Sequence, residues 1–201
     1  MDYYQNLITE KSWKILKELR KNHNFVLIGG WAVWIWTHAL KSKDIDIIID
    51  YDELAKLEKE YEVVKNNRLL KYEIKNEEID IDIYLPFYSD LGVAVEEIVE
   101  YKTAKEGFQV IQKEVLLMLK QYAYSQRHGS VKGEKDKVDI LLLALEEDFD
   151  WNRYSQLLKE FNLPEFKKDL KKLLSQTYEI AEINIDRHIF AKKKKLIFSK
   201  L

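Results

Sequence analysis

The sequence predicts an α/β module followed by a helical module, and three observations carry that prediction. Short β-branched runs alternate with helical spacings as far as about residue 110. From Glu114 onward the strand-like alternation stops, and loops holding Gly129, Gly133, Asp150 and Pro164 divide helical segments. An apolar run ends at Gly29-Gly30 and ten residues without a breaker follow, the pattern of a strand, a turn and a helix.

Taken in order, Trp13, Ile15, Leu16 and Leu19 give residues 10–22 a helical spacing. Phe25-Val26-Leu27-Ile28 predicts a short buried strand, and WAVWIWTHAL at 31–40 a buried helix. Trp31, Trp34 and Trp36 on it are read as core, with Trp31 the one to suspect of touching a base or acceptor. Asp44 to Asp50 (DIDIIID) reads as a strand by its β-branched residues, and residues 52–60 as a polar helix. Alternating segments follow around 61–65 and 69–75. The run 79–85 (IDIDIYL) alternates most cleanly and ends at Pro86. Helices are expected over about 113–127, 134–147, 151–161 and 164–180. The final stretch, 191–201, with four consecutive lysines, is a mobile tail or a late element. The expected domains are therefore a core over 1–110 and a helical domain with a basic tail over 111–201.

Composition removes several function classes. The 201 residues can bury a full core. The 33 basic and 35 acidic residues leave a net charge of −2, which excludes a globally basic nucleic-acid coat protein. The absence of cysteine excludes disulfides and thiolate metal sites, and His23, His38, His128 and His188 make no zinc-ligand spacing. No apolar stretch approaches the roughly 20 residues of a membrane span, and MDYYQNLITE is unlike a signal peptide. The expectation is a soluble, cytoplasmic protein that does not contact membrane.

Asp44 and Asp46 stand at i and i+2 of the predicted strand, so both side chains project from one face. Side-by-side carboxylates repel, and asparates are depleted in strands, so a purely structural sheet avoids them. A divalent cation removes that cost and suits hard oxygen ligands. Asp80 and Asp82 repeat the pattern on a later strand. If the two strands are neighbours, three or four carboxylates converge, as phosphoryl transfer with two metal ions about 4 Å apart requires. The competing reading is a half-exposed strand with a solvated polar face. Of the later pair, Asp82 is favoured because Ile81 and Ile83-Tyr84-Leu85 look more interior; Asp80 reads as its solvated neighbour. Gly29-Gly30 lets the backbone approach a phosphate at a helix N-terminus. It is neither a P-loop nor a dinucleotide fingerprint, since neither Gly-Lys-Ser/Thr nor a third glycine follows.

Gly29-Gly30, then thirteen residues, then Asp44-Ile45-Asp46, then Asp82 in an apolar strand, resembles the DNA polymerase β-like nucleotidyltransferase superfamily. The likeness is closest to its AbiEii/MenT-like branch, the toxin halves of some toxin–antitoxin systems: GGWAV at 29–33 is similar to that branch's opening motif. Lys120, Arg127, Lys135-Asp136 and Asp139 look like its helical cluster. The resemblance covers roughly residues 24–145. It implies a mixed sheet of the nucleotidyltransferase type and transfer of a nucleoside monophosphate from a nucleoside triphosphate to an acceptor hydroxyl, with release of pyrophosphate. Mg2+ or Mn2+ would sit on Asp44, Asp46 and Asp82, with the phosphates at Gly29-Gly30. RNA, above all a tRNA end, is the implied acceptor, and a protein antitoxin the implied partner. Transfer to a small molecule, as in antibiotic nucleotidyltransferases, transfer to a protein, and a catalytically silent nucleotide-binding module are the alternatives.

Four further cations and a basic region stand beside this pattern. Lys120, Tyr124 and Arg127 fall at i, i+4 and i+7, one helix face. Lys120 and Arg127 either grip the triphosphate or serve as solvent-facing partners of Asp136 and Asp139. Lys41 and Lys43 precede the DID strand and either add positive potential near the phosphates, Lys43 being the expected contact, or only solubilise the loop. From Pro164 to the end, ten basic residues face five acidic ones. That excess suits binding of an RNA backbone, and equally a solvated helix face.

Overall fold

The computed structural model describes residues 2–76, 78–180, 182–183 and 185–201. The chain divides into two units, Met1–Gln112 and Lys113–Leu201.

In the first unit, helix α1 (Asp2–Asn22) buries Leu16 and Leu19, two of the four positions its spacing marks, while Trp13 and Ile15 are half-buried. Strand β1 (Val26–Ile28) is buried throughout and runs directly into α2 (Gly29–Thr37), which starts at the glycines rather than after them. A helix apolar on all sides must be enclosed, and α2 packs on β1 and on β2 (Ile45–Ile48). Trp31 is fully buried, donating its indole N–H to Ser12 Oγ at 2.9 Å. It is a core residue with no face for a base. Helix α3 (Tyr51–Glu60) begins where the Asp50 carboxylate accepts the Glu53 N–H at 2.7 Å. Strands β3 (Val63–Asn66), β4 (Lys71–Asn76) and β5 (Ile79–Tyr84) follow. A short helix α4 (Val95–Ile98) and a 3-10 turn lead to β6 (Lys102–Lys105) and β7 (Phe108–Ile111).

The seven strands form one mixed sheet in the order β3-β4-β5-β2-β1-β7-β6. β1 runs parallel to β7 and β2 parallel to β5, while every other neighbouring pair is antiparallel. The central strands need one dry face, and they have it: Ile45, Ile47, Ile79, Ile81 and Ile83 are all buried. Residues of opposite parity on β5 point the other way, Asp80 exposed and Asp82 half-buried. The alternation read from the sequence thus separates a core face from a polar face, and the polar face holds the acidic residues.

The second unit is helical: α5 (Lys113–Arg127), α6 (Val131–Ala144), α7 (Trp151–Glu160), α8 (Glu165–Gln176) and α9 (Arg187–Lys200). Side-chain caps fix three of the starts. Ser130 Oγ accepts the Gly133 N–H, Asp150 those of Asn152 and Arg153, and Asp186 those of His188 and Ile189. The Ser130 cap starts α6 three residues before the expected 134. The lysine-rich end is a helix, because Phe190 and Ile197, seven residues apart on one face, are both buried. Inside this unit Tyr154 donates to Gln121 Oε1 at 2.6 Å, and Gln121 donates to the Phe166 carbonyl at 2.7 Å. No helix among the described residues is long and apolar enough to cross a membrane.

Candidate active site

Sheet register builds the acidic centre. Ile28 of β1 pairs with Asp46 of β2, Asp46 with Asp82 of β5, and Asp82 with Glu73 of β4. Paired residues share a face, so Asp46, Asp82 and Glu73 form a transverse row on three adjacent strands. The row ends beside the residue that precedes Gly29. Asp80 is opposite Lys75 instead and is exposed, so Asp82 is the partner of Asp46.

Asp44 is placed differently from the expectation. β2 starts at Ile45 and stops at Ile48, shorter than the predicted Asp44–Asp50 strand. Asp44 lies in the bend just before it, and Asp50 becomes the cap of α3. Aspartate competes for backbone N–H groups at caps, which is why the Asp50 end of DIDIIID leaves the strand. Among the described residues no group of three histidine, aspartate or glutamate side chains is placed to enclose a metal ion. The sheet itself brings together the pair Asp46 and Asp82.

Gly29 explains why the row can reach the turn. Its φ is +66°, the left-handed region that favours glycine. A Cβ there would overlap the Asp46 carboxylate, lying 2.5 Å from its Cγ and 2.7 Å from its Cβ. Only a residue without a side chain lets the α2 entry close over Asp46. Gly30 is buried in the same turn, and Lys43 is exposed in the bend before β2.

Electrostatics mark Asp82 as the unusual member. Its side chain is 19% exposed, and burial, followed by the nearby Asp46 charge, pushes its carboxyl up to about 6. Lys71 of β4 opposes this with its ammonium 2.6 Å from Asp82 Oδ2 and 3.0 Å from Glu73 Oε1. Burial acts against the charge on Lys71, yet the bonds to Asp82 and Glu73 outweigh it and hold the ammonium above the ordinary lysine value. Glu73 is held below the ordinary carboxylate value, first by Lys71, with help from Asn66, whose amide donates to it at 3.1 Å. Lys71 and Glu73 escape a search for motifs. The signal that finds them is the alternation KYEIK on one strand of a hairpin, whose register with IDIDIY sets Glu73 opposite Asp82.

Lys120 and Arg127 belong to the helical unit and pair there with the residues the sequence singles out. Lys120 Nζ lies 2.6 Å from Asp139 Oδ2 and 3.3 Å from Asp136 Oδ1, and Arg127 grips both oxygens of Asp136 at 2.6 and 3.0 Å. These are not solvent-facing pairs: Lys120 is 8% exposed, Asp136 1% and Asp139 2%. The α5–α6 turn is tight enough that a Cβ on Gly133 would sit 2.9 Å from the Arg127 carbonyl carbon.

The Asp46–Asp82 pair fits a divalent cation by its own chemistry. Both are hard oxygen donors, and burial together with the Asp46 charge raises Asp82, a cost that a bound cation would relieve. No family model and no curated protein matches the chain. Solved structures similar to it include two from Helicobacter pylori. One is the protein JHP933, 18% identical with a TM-score of 0.53, the likeness covering 98% of this chain and 93% of that one. The other is described as a candidate nucleotidyltransferase, 20% identical with a TM-score of 0.52, covering 98% and 96%. At such identity the likeness speaks for the fold, and the fold is nucleotidyltransferase-like.

Proposed function

We propose that the protein is a divalent-metal-dependent nucleotidyltransferase that moves a nucleoside monophosphate from a nucleoside triphosphate to a hydroxyl of RNA. The observation that carries this is the in-register pair Asp46–Asp82, set against the Gly29 turn at the start of a buried helix. A nucleotidyltransferase-like fold supports the reaction class. The excess of lysines and arginines after Pro164 supports the polyanionic acceptor.

In this reading the triphosphate lies at the Gly29-Gly30 turn, where backbone N–H groups of the α2 N-terminus face an anion, and Lys43 adds positive potential. Asp46 and Asp82, with Asp44 from the bend before β2, hold Mg2+ or Mn2+. Bound there, the ion supplies charge neutralisation for in-line phosphoryl transfer. The acceptor hydroxyl oxygen forms a bond to the α-phosphorus, the bond from that phosphorus to the bridging oxygen breaks, and pyrophosphate leaves. The hydroxyl proton passes to the Asp82 carboxylate. The protein's own contribution is otherwise positioning.

The test uses purified protein, Mg2+, each α-labelled nucleoside triphosphate in turn and total cellular RNA, with Asp46→Asn alongside. Label on RNA that Asp46→Asn abolishes is the expected result. Label on protein or small molecules alone would replace the acceptor. Absence of any label, together with no Mg2+-dependent thermal stabilisation by any nucleotide, would overturn the reading.

A further inference from the structure

The polar face of the sheet holds more than the aspartate pair. Glu73 continues the row of Asp46 and Asp82 on the next strand, and Lys71, two residues before Glu73, projects from the same face. The Lys71 side chain is only 11% exposed, and it bonds the middle carboxylate of the row and the one at its β4 end at once, 2.6 Å to Asp82 and 3.0 Å to Glu73. A lysine on a solvated strand face would extend into water. This one is folded down onto the acidic centre. Lys75 also approaches Glu73, at 3.7 Å, but is 68% exposed and screened by solvent.

We infer that Lys71 is a resident cation of the site, holding its Asp82–Glu73 end in the place a second divalent ion would take, so that each chain binds one divalent ion tightly. The inference rests on the nucleotidyl-transfer reading for the identity of that ion. Charge supports it. The Lys71 ammonium already neutralises one carboxylate charge at the Asp82–Glu73 end, which lowers the anionic charge left there for a second divalent ion. Geometry supports it as well, because the ammonium already bridges the Asp82–Glu73 end, and no group of three histidine, aspartate or glutamate side chains among the described residues is placed to enclose a metal ion. An ammonium offers no lone pair to a metal ion, so it can only compete with one.

Mn2+ binding read by electron paramagnetic resonance of the free ion tests this without any turnover. The wild-type protein is expected to bind one Mn2+ per chain. Lys71→Met is expected to bind a second ion, or the first at least about tenfold tighter, since a unit charge a few ångströms from the site has been removed. Lys71→Arg, which keeps the charge, is expected to match the wild type. Two ions on the wild-type protein overturn the inference, whether or not Lys71→Met folds. So does a Lys71→Met protein whose stoichiometry and affinity equal those of the wild type; in both cases nucleotidyl transfer still stands. If the wild type and both Lys71 variants bind no Mn2+, the inference and the metal-dependent reading fall together.

Discussion

Replacing Lys120 by alanine removes the ammonium from between two carboxylates that are almost completely enclosed. Asp136 keeps its two bonds to Arg127, while Asp139 loses a cation 2.6 Å away. Exposed ion pairs contribute only about 0–1 kcal/mol. Breaking a buried one costs about 3–5 kcal/mol, because the partner charge stays behind without compensation. Burial of all three side chains places Lys120 in the second class. At this chain length each 1 kcal/mol moves the melting temperature by about 2–4 °C, so Lys120→Ala is expected to melt roughly 6–20 °C below the wild type. Calorimetry at neutral pH reads this directly. The double substitution Lys120→Met/Asp139→Asn, which removes the stranded charge as well, is expected to recover part of the loss. A fall of less than about 2 °C for Lys120→Ala would place the pair in the exposed class and refute the argument. The measurement also separates two roles of the residue. A phosphate-gripping lysine at the surface would leave the melting temperature where it was and change only nucleotide affinity.

Two substitutions at the acidic centre give further tests. Gly29→Ala puts a side chain at φ +66° and against the Asp46 carboxylate; the left-handed backbone alone costs about 1–2 kcal/mol, and loss of RNA labelling with a folded circular-dichroism spectrum is expected. Wild-type labelling by that variant would show that Asp46 need not stay where it is. Asp82 has a folded value near 6, above its ordinary one, so between about pH 4 and pH 6 the folded state binds more protons than the unfolded state and stability falls as pH rises. The melting temperature of Asp82→Asn relative to wild type should therefore rise from pH 4 to pH 7 in metal-free buffer, and a difference flat across that range would rule out the raised value.

The fold class was legible because its signals are periodic. IDIDIY alternates cleanly enough to assign a core face and an acidic face, and both are found. The helical segments after residue 113 show their apolar spacing and their caps in the same way. β6 and β7 are harder to see, since Lys102-Thr103-Ala104-Lys105 is an edge strand with no buried residue. The aspartates of the acidic row were legible as residues but not as a geometry. Whether Asp46 faces Asp82 depends on two strands 30 or more residues apart being neighbours in parallel register, which no local pattern states. Asp44 shows the converse: spacing placed it on a strand, and the chain bends there instead. Lys71 and Glu73 were hidden because lysine and glutamate alternating on a strand is the ordinary composition of a solvated face.

The position of the acidic row in the sheet makes its cost bearable. Holding Asp82 at about 6 corresponds to roughly 3 kcal/mol against its ionised form. The reverse face of β2 and β5 buries Ile45, Ile47, Ile81 and Ile83, and each such side chain contributes about 1.5–3 kcal/mol. Those four residues therefore outweigh the carboxylate penalty on the same two strands, and the register survives the repulsion it imposes. A sheet selected for stability alone would carry lysine, threonine or glutamine opposite Asp46. Keeping an aspartate there, on the strand next to the one where Gly29 has no side chain to obstruct it, spends stability on an anionic centre, the signature expected where function needs a locally unfavourable charge. Lys71 fits the same logic, since it offsets part of that penalty while no other cation is bound.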